Sequence, residues 1–487
     1  MCYIKLMQQK IFLYGGIGFL ILVIIVVIVS LSGNKKPKTT DTKQAEKITL
    51  NWWHPLDDPL VLKPIIAEFE KENPHIKINL IQPSLNNYEL EATNALSAGT
   101  GPDIWSLPNS WMPRHLDKLI YAPDDFFKKN KKDTTTNIKY FNNKFVPVVV
   151  DENTKEDKVY GIPLFTDTLA IYYNKTLIKA KRKELQKSGV NIDYSIFDQG
   201  PRTWNEFNYL VALYTQKSGA SISKPAVALG RAENVKNSQD IVALLMLQNG
   251  AKIVSADGIT ATFNLPESTN INEQYYPGTK ALEFYCGFSN PSNPYYTWNS
   301  QYKDSYTAFR DNELAMIFAY DHDLKNLFQE APTFSLGVWT MPQIDYAKEA
   351  IDMARYWTET VPNVSKHRLE AWKFIYYLHK IGQGDYSAGT RRPSPFKPKV
   401  LPESILQRVE LSKPQKFQTQ TAKTWYRGRD PEEFEKLFKQ MIQAGCSKPE
   451  NSQKYIDTGA VEITKLLRGR EGYTPEAAVT PEKEVKL

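Results

Sequence analysis

ITLNWW at residues 48–53, LVLKPIIAEFEKENP at 60–74, IKINLI at 76–81, YELEATNALSAG at 88–99 and IWSL at 104–107 together decide the fold. The first run is short, β-branched and aromatic, which suits a strand. His54 to Pro59 forms a turn, and Leu62, Ile65, Ile66 and Phe69 then recur at helical spacing until Asn73-Pro74 stops the helix. Ile76 to Ile81 alternates as a strand, Tyr88 to Ala98 reads as a helix ending at Gly99, and Ile104 to Leu107 is another strand. Strands joined by helical crossovers predict an α/β lobe around a mostly parallel sheet.

The same grammar continues downstream. Val159 to Leu164 and Leu169 to Tyr173 are strand-like runs separated by Phe165 to Thr168. Thr203 with Glu206 makes a capping box for a helix whose apolar face is Trp204, Phe207, Leu210 and Val211. Ser238 to Asn249 is a helix closed by Gly250. Asp430-Pro431 starts another, in which Phe434, Leu437, Phe438, Met441 and Ile442 form the stripe and Gly445 is expected to end it. No internal repeat or low-complexity tract is present.

At 487 residues the chain exceeds the ~100–200 residues usual for one domain, which predicts two or three packed units. Aromatic residues make up 12%, a surplus that calls for a use. The net charge of +7 comes from 61 basic against 54 acidic residues, a mixed balance that gives no footprint for nucleic acid. Cys2, Cys286 and Cys446 have neither an even count nor CxxC spacing, which excludes a disulfide framework and a zinc–cysteine cluster.

Ile11 to Leu31 carries no charge and is long enough to cross a hydrocarbon core of ~30 Å. It reads as a membrane-spanning helix or an unusually long signal peptide, for which Ser30-Leu31-Ser32 is a passable cleavage site. The uncleaved anchor is the preferred reading, with residues 1–10 cytoplasmic and 32–47 a polar, flexible stalk. Gly33 and Asn34 stand where a lipid-bearing cysteine would, so no lipid anchor is expected. More lysines follow the span (Lys35, Lys36, Lys38, Lys43, Lys47) than precede it (Lys5, Lys10), against the positive-inside rule. Large domains translocate largely regardless of flanking charge, so the domain is placed outside the cell.

Several weak motifs, in order, resemble one family. They are Leu50-Asn51-Trp52-Trp53-His54, Phe69 to Pro74, and Ser97-Ala98-Gly99-Thr100-Gly101-Pro102-Asp103-Ile104. Then come Val159 to Pro163 with Tyr172 to Lys175, Pro201 to Phe207, Phe309 to Tyr320 with Val338 to Pro342, and Ser365-Lys366 with Glu370 to Phe374. From residue 48 onward the chain thus resembles the extracellular solute-binding proteins of ABC importers that take sugars and oligosaccharides. The departures are the missing lipidated cysteine and Ala319-Tyr320-Asp321, where many relatives carry Gly followed shortly by Trp.

The resemblance implies a two-lobed periplasmic-binding-protein fold, type II-like, with ligand in an interlobe cleft and hinge closure around it. Lobe 1 is expected at 48–164 plus 354–400 and lobe 2 at 165–353 plus 401–487. It further implies a monomer without cofactor or metal that delivers a small molecule to an ABC permease.

Ligands of open α/β sheets sit beyond the carboxyl ends of strands. That rule selects Trp53 and His54, Asn109 and Trp111, and Tyr320 and Asp321, while Thr166 and Asp167 lie at the first expected crossing between lobes and Trp357 and Glu359 near the second. A sugar needs aromatic faces for stacking and carboxylate or amide edges for hydrogen bonds, and the set supplies both. Tyr320 and Trp357 lead as stacking residues. Plainer roles compete: a loop histidine for His54, a helix start for Asp57-Asp58-Pro59, core packing for Trp339 and Tyr172-Tyr173, and a solvated charge pair for Arg391-Arg392.

Six histidines include no HExxH pair, and no GxSxG, P-loop or GxGxxG follows a strand, so hydrolase and nucleotide chemistry lack support. Two alternatives stay open: a membrane-anchored sensor or adhesion module on the same fold, and a glycoside-acting enzyme using two acids brought together in space.

Overall fold

The chain alternates strand and helix from β1 (Ile48–Trp53) through α1 (Pro59–Glu72), β2 (Ile76–Ile81), α2 (Tyr88–Ser97) and β3 (Ile104–Pro108), followed by β4 (Leu119–Ile120) and β5 (Gly161–Pro163). This computed structural model describes residues 46–128, 132–218, 221–270, 273–327, 334–345, 347–390, 392–398 and 418–469. The Ile11–Leu31 span and stalk residues 32–45 lie outside them, and among the described residues no helix is long and apolar enough to cross a membrane.

β1 pairs with β3 in parallel, Trp52 opposite Ile104. Asp58 caps α1 by accepting from Leu60 N–H at 2.8 Å, and Asn73 ends it through a 2.9 Å bond to the Phe69 carbonyl. Leu62, Ile65, Ile66 and Phe69 are the buried stripe of that helix, as their spacing requires.

β6 (Asp167–Thr168) then leads into β7 (Ala170–Asn174), α3 (Trp204–Tyr214), α4 (Ser238–Gln248), α5 (Pro277–Gly287), β8 (Met316–Ala319) and β9 (Leu336–Trp339). In this second layer β8 and β9 both run antiparallel to β7, in the order β8-β7-β9. Thr203 accepts from Glu206 N–H at 3.2 Å, while the Glu206 carboxylate reaches Arg202 N–H at 2.7 Å, one residue before the position a strict capping box would use. Tyr173 stacks on Trp339 with ring centres 3.8 Å apart, inside the core.

The chain returns through β10 (Asp352–Arg355) to β11 (Trp357–Pro362), α6 (Arg368–Tyr377) and α7 (Gln383–Thr390), and leaves again through β12 (Ala422–Lys423) for α8 (Pro431–Ser447) and α9 (Ser452–Arg468). β11 inserts antiparallel beside β3, giving the order β2-β1-β3-β11-β4 with β5 also paired to β11. The first sheet is therefore mixed, because one strand arrives from the other layer.

β6, β10 and β12 form a small sheet of their own, in which β10 pairs with β12 in parallel and with β6 antiparallel. Among the described residues, these are the three places where the chain passes between the layers.

Two expectations need correction. Gly445 does not end α8. The helix continues to Ser447, and a Cβ at Gly445 would lie 2.6 Å from Leu282 Cδ2, so the glycine permits close packing of α8 on α5. Cys286 and Cys446, on those same helices, are joined in a disulfide. The odd cysteine count excluded a framework of several bridges and gave no sign of this one.

Candidate functional site

Where the crossing strands meet, a cleft of about 340 Å³ opens. One wall, from the first layer, is Pro55, Leu56, Leu85, Pro108, Ser110 and Trp357; the other carries His322, Asp323 and Glu435, with Arg355 and Arg392 beside the crossings. An apolar wall thus faces a charged one.

The aromatic part of the first wall is preassembled. Trp357 opens β11 and is partly exposed; its ring lies 5.7 Å from Tyr88 and 6.3 Å from Trp111, which are themselves 6.2 Å apart. Trp53 packs against the same cluster, while Trp52, one residue earlier, points into the core. Strand alternation separates the two tryptophans.

Behind this wall lies a buried charged cluster. Glu359 accepts from Trp52 Nε1 at 2.7 Å and Ser106 Oγ at 2.6 Å, and its other oxygen is 3.1 Å from His54 Nδ1. His54 Nε2 is 2.8 Å from Asp57, which also accepts from the Tyr386 hydroxyl at 2.8 Å. Burial alone would push the imidazole down, but Glu359 and Asp57 outweigh it and raise His54 to about 9, so it is cationic at neutral pH. His54 and Glu359 are sealed in this cluster and do not face the cleft. The strand-end rule selected His54 and nearness to a crossing selected Glu359, but neither gives the direction of the side chain.

The opposite wall is organised by Asp240, fully buried in the first turn of α4. It accepts from Tyr320 at 2.8 Å, Trp425 Nε1 at 2.8 Å, Arg355 at 2.8 Å and Arg427 at 2.9 Å. Burial raises an isolated carboxyl, yet the two guanidinium groups hold this one at about 2. Arg427 also pairs with Glu435 at 3.0 Å.

Tyr320 is consequently fully buried, with Arg355 5.1 Å above its ring, and has no face left for a ligand. Its neighbour His322 accepts the wall position instead, its Nδ1 2.9 Å from Asp167 and its Nε2 3.2 Å from Asp323. Burial raises the Asp323 carboxyl, but His322 and Arg355 pull it below its ordinary value.

The remaining sequence-selected residues divide in the same way. Asn109 is spent on Glu152 at 2.9 Å and on Tyr356 N–H at 3.2 Å. Thr166 and Asp167 are buried at the first crossing, and Asp321 is half-buried beside them. Trp111 ties the first layer to α8, donating its Nε1–H to Glu432 at 2.6 Å, next to an Arg114–Glu432 ion pair at 2.5 Å.

Of the ten residues selected from sequence, Trp357 lines the cleft itself and Trp53 and Trp111 lie in the aromatic cluster behind it. Arg355, His322, Asp323 and Glu435 were not selected, and Arg392 was set aside as half of a solvated charge pair. Arg355 and His322 lie within two residues of selected positions, whereas Glu435 sits on a long amphipathic helix and carries no local signal. Among the described residues no three His, Cys, Asp or Glu side chains are arranged to hold a metal ion.

The family described as bacterial extracellular solute-binding protein matches residues 55–380 of this chain. A multiple sugar-binding protein of Streptococcus mutans is 23% identical over 352 residues, which cover 72% of this chain and 75% of that protein. A cyclic alpha-maltosyl-1,6-maltose binding protein of Arthrobacter globiformis has a similar fold, with a TM-score of 0.67 at 17% identity over 86% of this chain and 99% of that one. The sugar-binding protein MalE of Xanthomonas citri gives a TM-score of 0.66 at 18% identity, over 87% and 98%.

Proposed function

The chain belongs to the bacterial extracellular solute-binding proteins, and from that premise we propose that it is the receptor of an ABC importer that captures a neutral sugar or oligosaccharide by closing its two lobes. The observation that carries this reading is the cleft itself. Trp357, backed by Tyr88 and Trp111, faces His322, Asp323 and Glu435 across about 340 Å³. A sugar ring has apolar C–H faces and a polar rim, and this pairing of an aromatic wall with a charged one suits both. The sugars for which these similar proteins are named support the same class.

Closure follows from the crossings. Ligand contacts made to both walls favour the closed arrangement by their differential affinity. The lobes are read as 48–164 plus 354–400 and 165–353 plus 401–487, with β6, β10 and β12 as the flexing elements. The Cys286–Cys446 bridge suits an oxidising compartment outside the cytoplasm. Ile11 to Leu31 would hold the receptor at the outer face of the membrane beside its permease, and the chain binds without catalysing a reaction.

Thermal-shift titration tests the assignment, because a ligand specific to the native state raises its stability by RT ln(1 + [L]/Kd), roughly 2.7 kcal/mol at a hundredfold excess over Kd. Maltose, maltotriose and other neutral sugars should include at least one that raises the melting temperature saturably. A shift with amino acids, polyamines or metal ions in place of every sugar contradicts the assignment.

A further inference from the structure

Arg392 differs from the other basic side chains of the cleft. Arg355 is committed to Asp240 and to the Tyr320 ring, and both His322 nitrogens face carboxylates. Arg392 lines the cleft yet is only 3% exposed. Its guanidinium lies 4.2 Å above the Phe165 ring, and Nη1 is 3.1 Å from Asp57. Asp57 is in turn fixed by His54 and Tyr386. The side chain is therefore held by an ion pair and a ring face, while neither its Nε–H nor its Nη1–H makes a hydrogen bond to a described residue.

An enclosed arginine N–H without an acceptor is uncommon, because burial strips its water and nothing replaces it. At the wall of a cleft, a ligand oxygen is the natural acceptor. The charge of Arg392 is already balanced by Asp57, with Asp167 and Asp321 also near enough to act on it. What remains is a charge-balanced guanidinium whose Nε–H and Nη1–H are unused as hydrogen-bond donors.

We propose that Arg392 is a specificity-determining residue of the cleft, donating an unused guanidinium N–H to a hydroxyl or ring oxygen of a neutral sugar while its pairing with Asp57 disfavours phosphorylated and carboxylated sugars. This rests on the sugar-receptor reading. It also corrects the sequence expectation for Arg392, whose charge is buried and not solvated.

The test uses the full chain in calorimetric titrations with maltose, maltotriose, glucose 6-phosphate and glucuronate, comparing wild type with Arg392→Met and Arg392→Lys. Ligand-free melting curves report folding; Arg392→Lys keeps the ion pair with Asp57 and carries the test if Arg392→Met does not fold. The neutral sugar should lose roughly 10- to 100-fold in affinity in either variant, the worth of a hydrogen bond from a charged donor. Among monodeoxy analogues of that sugar, the one lacking the contacted hydroxyl should bind wild type and variant alike, which a purely structural role would not produce. Unchanged affinity in a folded variant, or equal binding of the charged sugars by wild type, overturns the proposal and leaves the receptor reading standing. Failure of wild type to bind any neutral sugar overturns both.

Discussion

Trp357 and Tyr320 are both aromatic and both stand at a strand end, but Trp357 is partly exposed at the cleft while Tyr320 is sealed with its hydroxyl on Asp240. Trp357→Ala should weaken sugar binding by about thirtyfold, or ~2 kcal/mol, with the melting temperature of the free protein little changed. Tyr320→Phe should do the reverse, lowering stability by roughly 1–3 kcal/mol because a buried Asp240 oxygen loses its donor. Calorimetric titrations and melting curves of both variants check the pair of outcomes; a Tyr320→Phe protein with wild-type stability and weakened binding would return Tyr320 to the site. At this scale strand position was legible in the sequence, because alternation and turn residues are local. Side-chain direction was not, since it depends on partners such as Asp240, 80 residues away from Tyr320.

Among elements, the stripes on α1, α3 and α8 were readable because helical spacing records which face is buried. The antiparallel insertion of β11 was not readable, because it depends on a strand arriving from the second layer. Nor was the disulfide, whose cysteines are 160 residues apart. Replacing Cys286 and Cys446 by Ser should cost roughly 2–5 kcal/mol, read as a lower denaturation midpoint, since the bridge closes a long loop in the unfolded chain. The crossing strand β10 makes a pH prediction. Burial raises Asp352, surrounded by Thr421, Gln343 and Gln418, from 3.8 to about 6. The folded state then holds this proton more tightly than the unfolded state, so its stabilising contribution is full below pH 3.8 and is lost as the pH rises through 6. Asp352→Asn keeps an acceptor for Thr421 and should exceed wild type at pH 7.5 by up to about 3 kcal/mol, with no advantage at pH 4. Melting curves of the two proteins across pH check this; a constant difference would contradict it.

For the whole molecule, the two-layer plan with repeated crossings was legible only through the order of many weak motifs, because no single segment encodes which strands cross. The crossings and the cleft are also where the lobes are tied. Trp111 and Arg114 contact Glu432 on α8, but Glu432 is exposed, so the ion pair is worth no more than about 1 kcal/mol. Arg114→Ala should therefore change sugar affinity by less than about fivefold, and the bridging ligand must supply most of the closing free energy. Small-angle X-ray scattering during titration with the neutral sugar that raises the melting temperature tests this most directly. The radius of gyration should fall saturably along the same curve as the binding heat. An unchanged radius at full occupancy would contradict it.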